Sequence, residues 1–419
     1  MAPNNALGNP TAAKLRAAAE GGGKLSLRRA SKSPSARRRS STAAGNAEDV
    51  RMSTADGYGA GGGGYATGVL DRSEVTSRGT GTAIRTPLEE FEARSLEDGR
   101  IMHELRCFWT GVMFLTRLPC PGWCDHHPGY LMRAMAYFPL LGALIGIWAA
   151  AFYDAAASLW PPLIAAALSG AGTLWLTGCF HEDGLCDTLD GFGGGWTKAQ
   201  ILKIMRDSRN GSYATMGGCM WVIAKCAAIA CIGDAAGGGG SVWAVGASAG
   251  AGPSIVVAQC LARASAAPLI YVYEYVVDDE DAKGEYYNWF GDSRRLLGMQ
   301  RVLVSLASAA AVAYGLLPPS NAHRALLAVG GGTLIAGEYG RSVLGGVMGD
   351  FLGATICVLE LAVFLAISAN VSNSDAAQLR QCRDIARLAL VVSLPQVYGT
   401  WRRWYERRSG LATVPPQDC

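Results

Sequence analysis

Charge is what this chain has least of: of its 419 residues only 17% are Asp, Glu, Lys or Arg, 50% are apolar, and the formal net charge is +3. So small a positive excess does not build the basic face that nucleic acid requires, and no RNA- or DNA-binding motif accompanies it. A chain of this length could hold two or three soluble domains, but low charge and a mean hydropathy of +0.17 argue against several independent water-facing cores. A second cysteine pair at zinc-finger spacing is also missing, so Cys120, Cys124, His126 and His127 read as a loop coincidence. Cys219, Cys226, Cys231, Cys260 and Cys357 lie inside apolar segments and read as small buried hydrophobes.

Residues 1 to 100 lack any long apolar run and are rich in Ala, Ser, Gly and Arg, with GAGGGG at 59 to 64. That composition predicts a disordered extension. Before residue 45 the only acid is Glu20, against Lys14, Arg16, Lys24, Arg28, Arg29, Lys32 and Arg37 to Arg39. Arg-rich, Ser-rich, acid-poor and without a secretory apolar core, the segment fits organellar targeting, to a mitochondrial or plastid inner membrane. A basic tail touching anionic lipid is the plainer alternative.

What is there, from Tyr137 onward, is a series of apolar runs of about 20 residues, the length that crosses a hydrocarbon layer. They predict an all-α, polytopic integral membrane protein with about eight transmembrane helices, at about 137 to 154, 162 to 180, 214 to 233, 253 to 273, 300 to 317, 324 to 344, 351 to 371 and 385 to 401. The membrane domain runs over 101 to 405, with a tail at 406 to 419, and an amphipathic start from Leu88 to Leu118 precedes the spans. Gly142, Gly146 and Gly330 to Gly332 supply the small residues that close helix packing in lipid uses. Lys and Arg gather in the loops 181 to 213 and 274 to 299 and at the C-terminus, with Arg117 and Arg133, whereas 155 to 161, 234 to 252 and 318 to 323 contain none. Arg380 and Arg383 alone break that alternation, which places both termini on the basic side of the bilayer.

On that side lies FHEDGLCDTLDGFGGG, residues 180 to 195. If it begins a helix, Asp183, Asp187 and Asp190 stand at i, i+4 and i+7 on one face. Three aligned carboxylates suit either a Mg²⁺ site that grips substrate phosphate or a solvated acidic helix start, and spacing alone leaves both open. Next, TKAQILKIMRDS predicts a Thr-capped interfacial helix over Thr197 to Ser208, with Arg206 and Arg209 on one face to hold phosphate oxygens or to snorkel. Lys225, Asp350 and Glu360 fall at or within spans, where charge is costly, as do Arg263 and the pair Glu338 and Arg341. A plain interhelix pair of Lys225 with Glu360 is the bland reading of two of these.

Taken together, HEDGLCDTLDG, MRDSRNGSYA, FLTRLP, YFPLLGALIG and GGVMGDFLGATICVLELAVFLA resemble the cobalamin synthase family, adenosylcobinamide-GDP ribazoletransferase, in the same order from Phe114 to Phe364. The family pattern falls on His181, Asp183, Gly184, Leu185, Asp187, Asp190 and Gly191, then on Met205 to Arg209 and Gly211, on Lys225, and on Gly349 to Ala354 with Glu360. The departures are Glu182, Cys186, Ile356 and Cys357. The resemblance implies a Mg²⁺-dependent membrane enzyme that joins adenosylcobinamide-GDP to α-ribazole or its 5′-phosphate and releases GMP. It further implies metal ligation by Asp183, Asp187 and Asp190, with Glu182 weaker; catalytic duty for these three aspartates and Asp207; and substrate contacts from His181, Arg206, Arg209, Lys225, Asp350 and Glu360. An oligomer stays open. The D-G-x-x-A-R opening of CDP-alcohol phosphotransferases is lacking here, and a transporter built on Lys225 and Glu360 leaves the adjacent acids and arginines unexplained.

Overall fold

The computed structural model describes residues 87–124, 127–235, 250–276 and 292–369. The extension before residue 87 and the expected eighth span at 385 to 401 lie outside them.

The described part begins with two amphipathic helices, α1 (Pro87–Glu97) and α2 (Gly99–Leu115). Residues 87 to 100 are therefore helical rather than part of a structureless extension, because Leu88 and Phe91 dock in the core at 3% and 1% exposure. On α2 the buried residues His103, Cys107, Thr110, Gly111 and Leu115 recur at helical spacing. Five stretches are long and apolar enough to cross a membrane. They are Pro128–Ala157, made of α3 (Pro128–Ala134), a short 3₁₀ turn and α4 (Phe138–Ala157); α8 (Ser212–Ala235); α9 (Ala251–Ala264) continuing into α10 (Ala266–Val272); α11 (Ser293–Leu316); and α13 (Gly349–Ser368). Each contains or closely overlaps an expected span.

Two expected spans differ. That at 162 to 180 stops at Thr177 as α5 (Pro162–Thr177), and a 95° bend separates it from α6 (Phe180–Gly194). The bend is made by two successive left-handed residues, Gly178 at φ 69° and Cys179 at φ 60°, of which only glycine adopts that conformation without strain. That at 324 to 344 lies in α12 (Pro319–Val343), a 25-residue helix diluted by Arg324, Glu338 and Arg341; it is not among the five. Arg341 pairs with Glu338 at 2.5 Å, the local pairing that a three-residue spacing allows.

All fourteen residues of α9 are buried, so this helix is the axis of the bundle. It packs most closely on α4, where Gly142 and Gly146 leave room: a Cβ at Gly146 would lie 2.6 Å from Val256 Cα. Of the later glycines, Gly332 meets Leu359 while Gly330 and Gly331 face open space. The outward surface of the bundle is apolar, with Leu144 and Trp148 on α4, Trp175 on α5, Ile223 on α8, Leu303 on α11 and Leu334 on α12 all exposed. Helices that satisfy their own backbone and turn apolar side chains outward make this a multi-pass membrane protein.

Candidate functional site

Among the described residues, Arg117 and Lys198 of the basic loops lie at one end of this bundle. Arg117 N–H donates to Leu176 O at 2.8 Å, and Lys198 Nζ approaches Gly345 between α12 and α13. The acidic stretch forms α6 at that end. Its Phe192 stacks on Phe351 at 5.8 Å, and Gly184 sits against the first turn of α13, where a Cβ would lie 2.7 Å from Asp350 O. That approach brings Asp183 and Asp187 of α6 to Asp350, joining residues distant in sequence. Burial first, then the Asp183, Asp350 and Asp190 carboxylates, push the Asp187 carboxyl up to about 7. Among the described residues, the charges that shift Asp187 and Asp350 are all carboxylates.

Asp190 shares the acidic face but is engaged elsewhere. Its carboxylate accepts from Gly211 N–H and from Ala214 N–H, the latter at 2.9 Å, and so caps the start of α8. Glu182, a quarter-turn off the Asp face, has a buried Oε2 without a hydrogen-bond partner, and its electrostatic neighbours are Lys225, Glu360 and Arg263 rather than the aspartates.

The interfacial helix is shorter than the sequence predicts. As α7 (Lys198–Met205) it carries the expected Thr197 capping box with Gln200 and buries Ile201, Leu202 and Met205, but it ends at Met205. Arg206 is its C-cap and Arg209 lies in the following loop, so the two arginines do not share a helix face. The cause is Asp207: its side chain accepts from Arg209 N–H at 3.1 Å and from the guanidinium at 2.9 and 2.6 Å, a local bond that competes with the helix. Arg209 in turn pulls the exposed Asp207 carboxyl down to about 2.

Behind α6 lies a buried polar layer. Lys225 of α8 pairs with Glu360 of α13 at 2.7 Å and lies over the Trp221 ring, so the bland reading of these two residues describes their contact. Gln259 Nε2 donates to Glu360 Oε1 at 2.6 Å. Arg263 donates through Nη1 to Gln259, by its carbonyl at 3.1 Å and its side-chain oxygen, and through Nη2 to His181 Nδ1 at 3.3 Å. Arginine has donors only, so His181 accepts here. Gln259 has no role in the sequence reading, where Arg263 is only a charge within a span; their four-residue spacing on one helix is the available signal. Tyr275 carried none, since a tyrosine at a span end is an ordinary interfacial anchor. Yet a single bridge pairs Tyr275 with Val347, and burial together with Asp350 pushes its hydroxyl upward.

Among the described residues no group of three or more His, Cys, Asp or Glu side chains is gathered closely enough to hold a metal ion. A closed protein cage is thus not what the site offers. Asp183, Asp187 and Asp350 are hard oxygen donors whose mutual repulsion a cation relieves. One or two of them would suit Mg²⁺, which is commonly held by so few carboxylates together with phosphate oxygens and water.

A model of the family described as Cobalamin-5-phosphate synthase matches residues 107–368. A protein of Leptothrix cholodnii named adenosylcobinamide-GDP ribazoletransferase is 35% identical over 274 residues, which cover 65% of this chain and 98% of that one. One of the same name from Shewanella oneidensis is 31% identical over 264 residues, 63% of this chain and 94% of its own. No solved structure matches the chain. The family match runs from Cys107 within α2 to Ser368 at the end of α13 and takes in the acidic helix, its facing aspartate and the buried layer behind them; the chain belongs to the cobalamin-5-phosphate synthase family.

Proposed function

We propose that this chain transfers the cobinamide phosphate of adenosylcobinamide-GDP to the 3′-hydroxyl of α-ribazole, or of its 5′-phosphate, and releases GMP. The observation that carries the reading is the meeting of Asp183 and Asp187 with Asp350 at the α6–α13 contact. The names of the two bacterial relatives point the same way. Phosphoryl transfer asks mostly for positioning and charge neutralisation, which carboxylates and arginines at one end of a rigid bundle can supply.

In this reading the hydroxyl oxygen bonds to the phosphorus that bears the aminopropanol arm, and the bridging P–O bond to GMP breaks. Asp183 and Asp350 would hold Mg²⁺, which would supply neutralisation of the phosphate charge. Asp187 accepts the hydroxyl proton. A base works best with a proton affinity near the working pH, and Asp187, raised to about 7, is better matched than Asp207 at about 2. Arg206 and Arg209 neutralise the departing GMP phosphate, Arg209 exchanging Asp207 for it. Asp190 supports the site by fixing the start of α8.

The membrane is proposed to be an organellar inner membrane, on the composition of residues 1 to 100 alone. The bacterial relatives say nothing of an organelle, and a fluorescent fusion of those residues that stays in the cytosol would overturn it.

The activity is tested with the purified full chain, adenosylcobinamide-GDP and α-ribazole, with and without Mg²⁺. GMP forming in step with the corrinoid product, and only with Mg²⁺, is the expected result; intact nucleotide in the presence of folded protein overturns the reading.

A further inference from the structure

Gln259 and Arg263 stand on α9, the helix with no exposed residue, at 1% and 2% exposure. They belong to none of the acidic or basic motifs. A buried arginine is costly, and this one has no carboxylate in direct contact: its nitrogens meet the Gln259 carbonyl, the Gln259 side chain and His181, and Nε is buried without a partner. Gln259 is the neutral link of the set, accepting from Arg263 through its side-chain oxygen and donating to Glu360 through its nitrogen. Glu360 in turn takes Lys225 from α8. One chain of polar contacts therefore runs from α6 through α9 to α13 and α8.

That chain ends on the two helices whose relative position makes the acidic site. His181 lies on the first turn of α6, just ahead of Asp183, and Glu360 lies on α13, the helix that Asp350 begins. The backbones of these helices touch at Gly184 with Asp350 and at Gly353 with His181. The Phe192–Phe351 stack is the apolar part of this contact, and polar partners at both ends add a further hold on its register. Space for the chain is kept by α4: a Cβ at Gly142 would strike the Gln259 carbonyl and lie 3.0 Å from Arg263 Cδ.

We infer that Gln259 and Arg263 are positioning residues that set the register of α6 against α13, and through it the approach of Asp183 to Asp350, the pair that would hold the cation. The inference rests on the proposed activity for its kinetic readout, and metal binding tests it separately. The variants are Gln259→Leu, Arg263→Leu and the double change in the full-length protein, with Arg263→Lys, which keeps a cationic donor on α9, as the variant least disruptive to folding. Two quantities are measured: the Mg²⁺ concentration giving half-maximal GMP release, and Mn²⁺ binding in the presence of GDP, read by electron paramagnetic resonance.

For residues that orient metal ligands the expected weakening is about tenfold or more in both measurements, with the KM for ribazole unchanged. Because both residues act through one chain, the double variant matches the worse single variant instead of multiplying the two effects. Arg263→Lys shows a smaller loss. Folded variants with unchanged Mn²⁺ binding, or effects that multiply, overturn the inference. If the unaltered protein makes no GMP, the proposed activity fails while Mn²⁺ binding still decides the positioning role.

Discussion

Asp190 and Gly211 are joined across 21 residues by a hydrogen bond from the Gly211 N–H to the Asp190 carboxylate, and the Ala214 N–H donates to the same group. A residue at the centre of an acidic motif is thereby a helix cap, and it behaves differently from its neighbours on substitution. Asp190→Ala loses both acceptors and is expected to cost about 1 kcal/mol of stability, while Asp190→Asn, which keeps an acceptor oxygen, costs less. Thermal unfolding in detergent distinguishes the pair; equal melting temperatures would remove the capping role.

Asp187→Asn takes one charge out of a repelling group. The melting temperature should hold or rise in the absence of divalent cation, while GMP release falls by roughly 10²-fold or more, the scale of losing a catalytic acid–base group. Near-normal turnover in folded protein would end its assignment as the proton acceptor.

The same crowding gives a pH dependence. The Asp187 carboxyl rises in the fold from its ordinary 3.8 to about 7, so between those values the folded state binds more protons than the unfolded one. By linkage, this group makes the metal-free protein lose stability as pH rises through that window. A bound cation offsets the repulsion, so Mg²⁺ should raise the melting temperature more at pH 8 than at pH 5. An increment that is equal at both values contradicts the argument.

Breaking the buried pair should be worse than removing it. Lys225→Met leaves Glu360 buried without its cation and is expected to cost about 3–5 kcal/mol, whereas Lys225→Met with Glu360→Leu recovers much of that stability. Chemical denaturation of both variants measures the difference. The positioning role predicts that the double variant, though folded, remains weak in turnover.

Five spans and the acidic helix were legible because each depends on a local pattern: apolar length for α8 or α13, and the i, i+4, i+7 spacing for α6. The capping box at Thr197 was legible for the same reason. The bend at Cys179 was not, since its left-handed backbone is imposed on a residue that disfavours it. Nor was the early end of α7, decided by whether Asp207 prefers Arg209 or the helix. The loop charges put Asp350 on the same membrane surface as the acids, but only the glycine contacts of α6 show which carboxylates it meets. Asp190 illustrates the limit most plainly: its position in the motif is identical whether it binds an ion or two backbone amides.

The polar chain behind the site also has an order of manufacture. Gln259 precedes its partner Glu360 by 101 residues, and Lys225 leaves the ribosome earlier still. Lys225 and Arg263 are thus made before Glu360, and Glu182 of α6 is the carboxylate already made that lies near them. Placement of α13 is then the step that completes the polar chain, because Glu360 is the residue that joins Gln259 to Lys225.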